Sequence, residues 1–296
     1  MSAALFAFTD GAGAAARLAN ACGIPLHRAE ARHFPDGESL VRVHGSAETA
    51  ILFRSLDNPN AKLVEVLLAA SALRDGGARR VVLVTPYLAY MRQDMAFHPG
   101  EAVSQRVIGG LLAANFDGVV TVDPHLHRIA HLGEAIPGIP ALAVSAAPAL
   151  VEAIAEGLDP RTVLVGPDSE SRPWVESIAR PLGLDVLVGE KVRNGDRDVA
   201  LTVPGLAAVQ GRPVLLVDDM VSSGTTLIAC AGQLREAGAT AIAALATHSL
   251  ASAADMARLA SHGIALRATD STEGAQATIP LAGLLHQALR GQGWLD

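Results

Sequence analysis

Hydrophobic and polar positions alternate along this chain in two distinct patterns, which together predict its main elements. Short runs rich in Val and Leu have the length of buried strands. These runs are Val81–Thr85, Val119–Val122, Val163–Val165, Val186–Val188 and Val214–Val217. Longer stretches, in which apolar residues recur with the period of a helix, lie between them. These stretches are Ala12–Cys22, Ala61–Asp75, Ser104–Ala114, Ala147–Gly157, Arg172–Leu182, Thr226–Ala237 and Ala253–Ser261.

The repeated succession of strand and helix predicts an α/β fold in which helices cover mostly parallel sheets. The chain also contains a coarse internal echo. The segments around Val81 and Val214 each run from a basic residue into a buried strand and then into a polar loop. We therefore expect two similar domains, 1–141 and 142–296, with the C-terminal tail returning to the first. Pro and Gly residues at 137–140 mark the predicted boundary.

Composition limits the classes of function. The chain has 296 residues, a net charge of -7 and only 3% aromatic residues. Nucleic acids are bound by basic grooves and aromatic stacking platforms, so we expect no nucleic-acid partner. No apolar run reaches the ~18–20 residues that cross a bilayer, and no basic segment precedes the apolar N-terminus. We therefore expect a cytoplasmic protein without a membrane partner.

The segment after Val214–Val217 has the chemistry of a phosphate-binding loop. Small hydroxyl residues and a glycine precede a predicted helix, whose N-terminal N–H groups can bind a phosphate. Two adjacent carboxylates come before them, and these suit sugar hydroxyls or Mg²⁺. A strand-to-helix turn with capping residues is the structural alternative. The candidate residues are Asp218, Asp219, Ser222, Ser223, Gly224, Thr225 and Thr226.

This segment resembles the ribose-5-phosphate loop shared by type I phosphoribosyltransferases and ribose-phosphate pyrophosphokinases. Four further segments, in the same order along the chain, resemble the pyrophosphokinases alone. They are Phe34-Pro35-Asp36-Gly37-Glu38, Pro86–Asp94 with Pro99–Ser104, Val122–His125, and Val165–Asp168 with Glu190–Arg193. The resemblance implies two phosphoribosyltransferase-like domains that together carry out one reaction.

The resemblance also implies a role for each matching residue. In the family, the loop at Phe34 reaches the ATP site of a neighbouring subunit, which implies a homo-oligomer of at least two chains. His125 and Asp168 would hold the Mg²⁺ cofactor, and Lys191 and Arg193 would be catalytic by clamping the transferring group. Lys191 is one of only two lysines in the chain. The implied ATP-binding residues are Phe34, Asp36, Glu38, Arg92, Gln93, Asp94 and His125.

The implied reaction transfers diphosphate from ATP to O1 of ribose 5-phosphate, with 5-phosphoribosyl 1-diphosphate and AMP as products. Three alternatives stay open: a phosphoribosyltransferase, a non-catalytic regulatory subunit of the synthetase, and a kinase for another phosphopentose. Ser222 stands where the family usually has Asp, which slightly favours the transferase, and Gly100 stands where it often has Arg. A zinc site at His125, His127 and His131 is a further interpretation, although it lacks a fourth ligand.

Overall fold

The structure is a computed structural model that describes most of the chain. The described residues are 2–126, 128–193 and 199–296, with no side chain described from 191 to 201. Contacts divide the chain into two compact units. The first runs up to Ser145 and includes 271–273 and 280–296, and the second comprises 146–270 and 274–279. The predicted domain limits, 1–141 and 142–296, remain a prediction.

Nine α-helices occur in the described part of the chain. They are α1 (Ala12–Cys22), α2 (Pro59–Asp75), α3 (Ser104–Asn115), α4 (Leu132–Ala135), α5 (Ala147–Ala155), α6 (Arg172–Leu182), α7 (Thr225–Glu236), α8 (Ala253–Ser261) and α9 (Ala282–Gly291). Within residues 2–126, 128–193 and 199–296, no helix combines the length and the apolar character needed to traverse a bilayer.

The first unit is built on a seven-stranded sheet. Its strands are β1 (Ala3–Ala7), β2 (Leu26–His33), β3 (Ser39–Val43), β4 (Thr49–Phe53), β5 (Arg80–Val84), β6 (Gly118–Val122) and β7 (Ala141–Val144). They lie in the order β3-β2-β1-β4-β5-β6-β7. All neighbours pair in parallel except β2 and β3, which form an antiparallel hairpin at one edge. β1, β4 and β6 are buried along their whole length, as in sheets covered on both faces.

The second unit is built on a six-stranded parallel sheet with the order β15-β14-β13-β12-β8-β9. Two further strands, β10 and β11, form a separate antiparallel pair. The strands are β8 (Val163–Gly166), β9 (Asp185–Val188), β10 (Glu190–Arg193), β11 (Val199–Thr202), β12 (Pro213–Val221), β13 (Ala241–Ser249), β14 (Ala265–Thr269) and β15 (Ala277–Ile279).

The predicted α/β class, with mostly parallel sheets flanked by helices, is confirmed. The predicted bounds of α1, α6 and α8 coincide with those in the structure. Four of the five predicted strands match within one residue at each end, but the sequence pattern ends the fifth at Val217, whereas β12 continues to Val221. The reason is pairing, because β13 hydrogen-bonds alongside β12 through Ser249 and extends the strand beyond its apolar run.

Candidate active site

The predicted phosphate loop adopts the geometry that its composition suggests. Gly224 is in the left-handed region, with φ of 72°, directly before the first residue of α7. A Cβ at this position would lie 2.9 Å from Cδ2 of Leu259, so the position requires glycine. The Oγ of Ser223 and the Oγ1 of Thr225 lie 3.1 Å apart. The side chains of the four candidate hydroxyl residues are exposed: Ser222, Ser223, Thr225 and Thr226.

Arg258 on α8 contacts this loop through its side chain. Its Nη2 donates to the backbone carbonyl of Ser223 and lies 3.5 Å from the Oγ1 of Thr225. Asp255 pairs with the same nitrogen at 3.3 Å. Arg258 was not among the site residues predicted from the sequence. It lies on an ordinary amphipathic helix more than thirty residues after the loop, with no local pattern that marks it.

The two adjacent carboxylates lie within β12 rather than beyond its end. Successive side chains of a strand point to opposite faces, so Asp218 and Asp219 leave the strand on different sides. Asp219 is 6% exposed and Asp218 is half-buried. Burial, together with the negative charges of Asp219 and Asp168, raises the pKa of Asp218 well above its usual value. The charges of Asp219 and Asp168 therefore disfavour the ionised form of Asp218.

Asp168 is held by the turn that leads into α6. Its Oδ1 accepts hydrogen bonds from the backbone N–H groups of Glu170, at 3.1 Å, and Ser171, at 3.3 Å. This places the carboxylate at the C-terminal end of β8, the neighbour of β12 in the sheet. Among the described residues, no three His, Cys, Asp or Glu side chains form a ready-made set of metal ligands.

The predicted catalytic residues Lys191 and Arg193 lie on β10. Their backbones pair with Leu201 and Val199 of β11. The side chains of Lys191 and Arg193 are outside the described part of the structure, as are residues 194–198. Their catalytic roles therefore remain predictions.

In the first unit, the loop after β5 carries three predicted ATP-binding residues. Arg92 is exposed. The Oε1 of Gln93 accepts a hydrogen bond from the Oγ of Ser104 at 2.6 Å, and Ser104 is the first residue of α3. Asp94 is buried, and its Oδ1 pairs with the Nη1 of Arg128 at 2.5 Å.

The loop after β6 lies beside this one. The N–H of Val122 donates to the carbonyl of Pro86 at 3.1 Å, and the Arg128–Asp94 ion pair links the two loops again. Asp123 has a positive φ of 33°, an unusual conformation for a residue other than glycine. The structure therefore brings the segment that contains the half-buried His125 next to Arg92, Gln93 and Asp94.

The possible zinc site at His125, His127 and His131 remains a prediction. His127 lies outside the described residues. His131 takes part in the capping box of α4, in which its backbone N–H donates to Glu134 at 3.2 Å.

The segment Phe34–Glu38 forms the turn of the β2–β3 hairpin. The N–H of Phe34 donates to the carbonyl of Glu38 at 2.8 Å, and the Oδ1 of Asp36 accepts from the N–H of Glu38 at 3.1 Å. All three predicted ATP-binding residues of this turn are exposed.

The hairpin is at one edge of the sheet, whereas the other predicted ATP-binding segments follow the interior strands β5 and β6. Two strands, β1 and β4, separate β2 from β5. At about 4.8 Å between neighbouring strands, the separation is roughly 14 Å. The strand that leads into Phe34 is therefore three positions away in the sheet from the strand that leads into Arg92.

Comparison with known proteins identifies the same two halves. Residues 3–115 match the family model described as the N-terminal domain of ribose phosphate pyrophosphokinase, and residues 139–260 match the phosphoribosyl transferase domain. The chain is 34% identical over 235 residues to the ribose-phosphate pyrophosphokinase of Methanopyrus kandleri, covering 78% of this chain and 79% of that protein. It is 36% identical over 217 residues to that of Halobacterium salinarum, covering 72% and 74%.

A solved structure of a synthetase is similar over almost the whole chain. The phosphoribosylpyrophosphate synthetase from Mycobacterium smegmatis is similar with a TM-score of 0.86 and 29% identity, over 99% of each chain. The match at residues 3–115 is to a synthetase domain, so neither a phosphoribosyltransferase nor a regulatory subunit is favoured. The chain belongs to the ribose-phosphate pyrophosphokinase family, whose members use ATP and ribose 5-phosphate to make 5-phosphoribosyl 1-diphosphate.

Proposed function

We propose that this chain performs its family's reaction with the residues identified above, and that the loop at Gly224 binds the 5-phosphate of ribose 5-phosphate. The observation that carries this assignment is the junction of β12 and α7, where a glycine in the left-handed region opens a helix beside exposed hydroxyl groups. Such helix N-termini bind anions because their N–H groups have no partners within the helix.

The substrate sugar is held by two kinds of group. N–H groups of the loop and the hydroxyls of Ser222, Ser223, Thr225 and Thr226 donate to the phosphate. Asp218 and Asp219 accept hydrogen bonds from the ribose hydroxyls. A carboxylate accepts hydrogen bonds from sugar hydroxyls but repels a phosphate. Because the carboxylates precede the phosphate-binding residues along the chain, the two groups together orient the sugar.

The ATP site draws on separate segments. Arg92 pairs with a phosphate, and the amide of Gln93 donates to the base, because its oxygen is occupied by Ser104. Phe34 stacks near adenine, and Asp36 and Glu38 contact the base. The wide separation of the hairpin from β5 supports a neighbouring subunit as the source of these three residues, and hence a homo-oligomer of at least two chains.

The acidic residues fit Mg²⁺, the cation that this family uses. Burial and then repulsion from Asp219 and Asp168 raise the pKa of Asp218. A divalent cation relieves such repulsion, and carboxylate oxygens are the ligands it prefers. His125 and Asp168 are the residues that we assign to hold it. When bound, Mg²⁺ would neutralise charge on the ATP phosphates.

In the reaction, the O1 hydroxyl of ribose 5-phosphate attacks the β-phosphorus of ATP. The new O1–P bond forms as the bond from the β-phosphorus to the α-phosphate oxygen breaks, and that oxygen leaves with AMP. The O1 proton is released. Lys191 and Arg193 stabilise the negative charge on the transferring oxygens, so that catalysis depends mainly on positioning and electrostatics.

Product analysis tests this proposal. Incubation with ATP, Mg²⁺ and ribose 5-phosphate should produce AMP and 5-phosphoribosyl 1-diphosphate in equal amounts. Formation of ADP, or turnover only with another phosphopentose, would contradict the assignment. Consumption of 5-phosphoribosyl 1-diphosphate with a free base, and no AMP from ATP, would identify a phosphoribosyltransferase instead. We place the reaction in the cytoplasm, where ATP and Mg²⁺ are abundant.

A further inference from the structure

We propose that Glu65 on α2 is a positioning residue for ATP, because it fixes the base of the hairpin that carries Phe34, Asp36 and Glu38. The inference rests on the proposed function in one respect, namely that this hairpin binds ATP. Glu65 lies outside every motif that was identified in the sequence.

Glu65 holds both strands of the hairpin with one oxygen. His33 is the last residue of β2 and Ser39 is the first of β3, and the two are partners in the antiparallel pairing. The Oε1 of Glu65 lies 2.8 Å from the Nε2 of His33 and accepts from the Oγ of Ser39 at 3.2 Å. The carboxylate therefore contacts the residue immediately before Phe34 and the residue immediately after Glu38.

Glu65 is itself held rigidly. Its side chain is 2% exposed, and its Oε2 accepts from the Nη1 of Arg54 at 2.5 Å. The Nε of Arg54 pairs in turn with Asp10 at 3.1 Å, and its guanidinium lies 3.9 Å from the ring centroid of Phe8. A buried carboxylate needs such partners, and these also prevent it from turning away from the hairpin.

The hairpin lies at the edge of the sheet, where β3 packs against α2, the helix that carries Glu65. β3 is an edge strand that pairs only with β2, and a two-stranded ribbon alone is only marginally stable. A cavity of about 270 Å³ is lined by Arg32, His33, Phe34 and Leu40, so apolar packing does not fill this side. Hydrogen bonds to Glu65 thus set the direction in which Phe34 leaves the sheet.

The test removes the donors rather than the buried acid, since Glu65 variants could fail to fold. His33→Ala and Ser39→Ala should each raise the KM for ATP by about 3- to 10-fold, the effect of losing one hydrogen bond. The KM for ribose 5-phosphate and the melting temperature should stay near those of the parent. His33→Gln, which keeps a donor at similar reach, should restore much of the ATP affinity.

His44→Ala is the matched control. His44 follows β3 at the other end of the same ribbon and lies 3.4 Å from Glu30. The His44→Ala variant should leave the KM for ATP and the KM for ribose 5-phosphate unchanged. An equal change in both KM values for His33→Ala, or an unchanged KM for ATP, would overturn the inference.

Phe34→Ala separates this inference from the proposed function. If Phe34→Ala raises the KM for ATP and His33→Ala does not, the ATP role of the hairpin stands and the anchoring by Glu65 fails. If Phe34→Ala leaves the KM for ATP unchanged, the assigned role of the hairpin fails, and the inference fails with it.

Discussion

The proposed phosphate loop of the second unit and the proposed ATP-binding segments of the first are built in different ways. The loop consists of consecutive residues, and its shape depends on the backbone, through Gly224 and the start of α7. The ATP-binding segments come from three separate parts of the chain. Side chains hold them in place, through Asp94 with Arg128 and through Glu65 with His33.

The difference has a physical consequence. A backbone-built site presents N–H groups whose direction depends on φ and ψ, so one added methyl group can distort it. In a site built from side chains, several ion pairs and hydrogen bonds together hold the geometry. Removing one of these partners should therefore weaken substrate binding less than a change in the backbone-built loop, or should destabilise the fold locally instead.

The largest effect should come from Asp218→Asn. The variant removes the charge-assisted hydrogen bond to the ribose, and the loss of such a bond costs roughly 1.5–3 kcal/mol. We expect kcat/KM for ribose 5-phosphate to fall by about 10- to 150-fold. Steady-state kinetics at saturating ATP will measure this change, and activity within about twofold of the parent would contradict the assigned role.

The same variant should be more stable than the parent at neutral pH. Burial and the charges of Asp219 and Asp168 raise the pKa of Asp218. Its contribution to stability is therefore complete below the usual unfolded pKa, about 3.9, and is lost as pH rises through the raised value. The gap in melting temperature between Asp218→Asn and the parent should widen with pH. Asp159→Asn should show no such gain, because hydrogen bonds from Arg161 lower the pKa of Asp159.

Gly224→Ala should have the next largest effect. Alanine in the left-handed region costs about 1–2 kcal/mol, and the new Cβ would also crowd Leu259. The loop should shift, and the KM for ribose 5-phosphate should rise by roughly 10-fold with little change in the KM for ATP. Gly263→Ala is the control: Gly263 has φ of 62° but no atom nearer than 3.6 Å to the added Cβ. A similar rise in the KM for ribose 5-phosphate for both variants would show that the effect is not specific to the loop at Gly224.

Arg128→Ala should have the smallest effect on substrate binding and should act through stability. It leaves the buried carboxylate of Asp94 without its ion-pair partner. Because Arg128 is half exposed, we expect a loss of about 1–2 kcal/mol in unfolding free energy, less than for a fully buried pair. Chemical denaturation will measure it. Arg79→Ala, which removes the exposed pair with Glu48, should cost less than about 1 kcal/mol.

Much of the fold could be predicted from the sequence because its signals are local. The strand and helix patterns indicated the α/β class, and three helices were bounded correctly. Among the described strands, β1 to β4, β7, β10, β11 and β13 to β15 were not predicted individually. β2 and β3 lack a clear apolar run because they form an exposed edge ribbon.

For the candidate site, the sequence alone was enough to propose the phosphate loop, since consecutive residues carry both its chemistry and its backbone conformation. Only the tertiary structure decided which distant side chains support each segment. Arg258, Arg128 and Glu65 contact their partners through pairings of strands and helices that no short motif records. The extension of β12 through Asp218 and Asp219 likewise depends on its neighbour β13, because hydrogen bonds between strands are made across the sheet rather than along the chain.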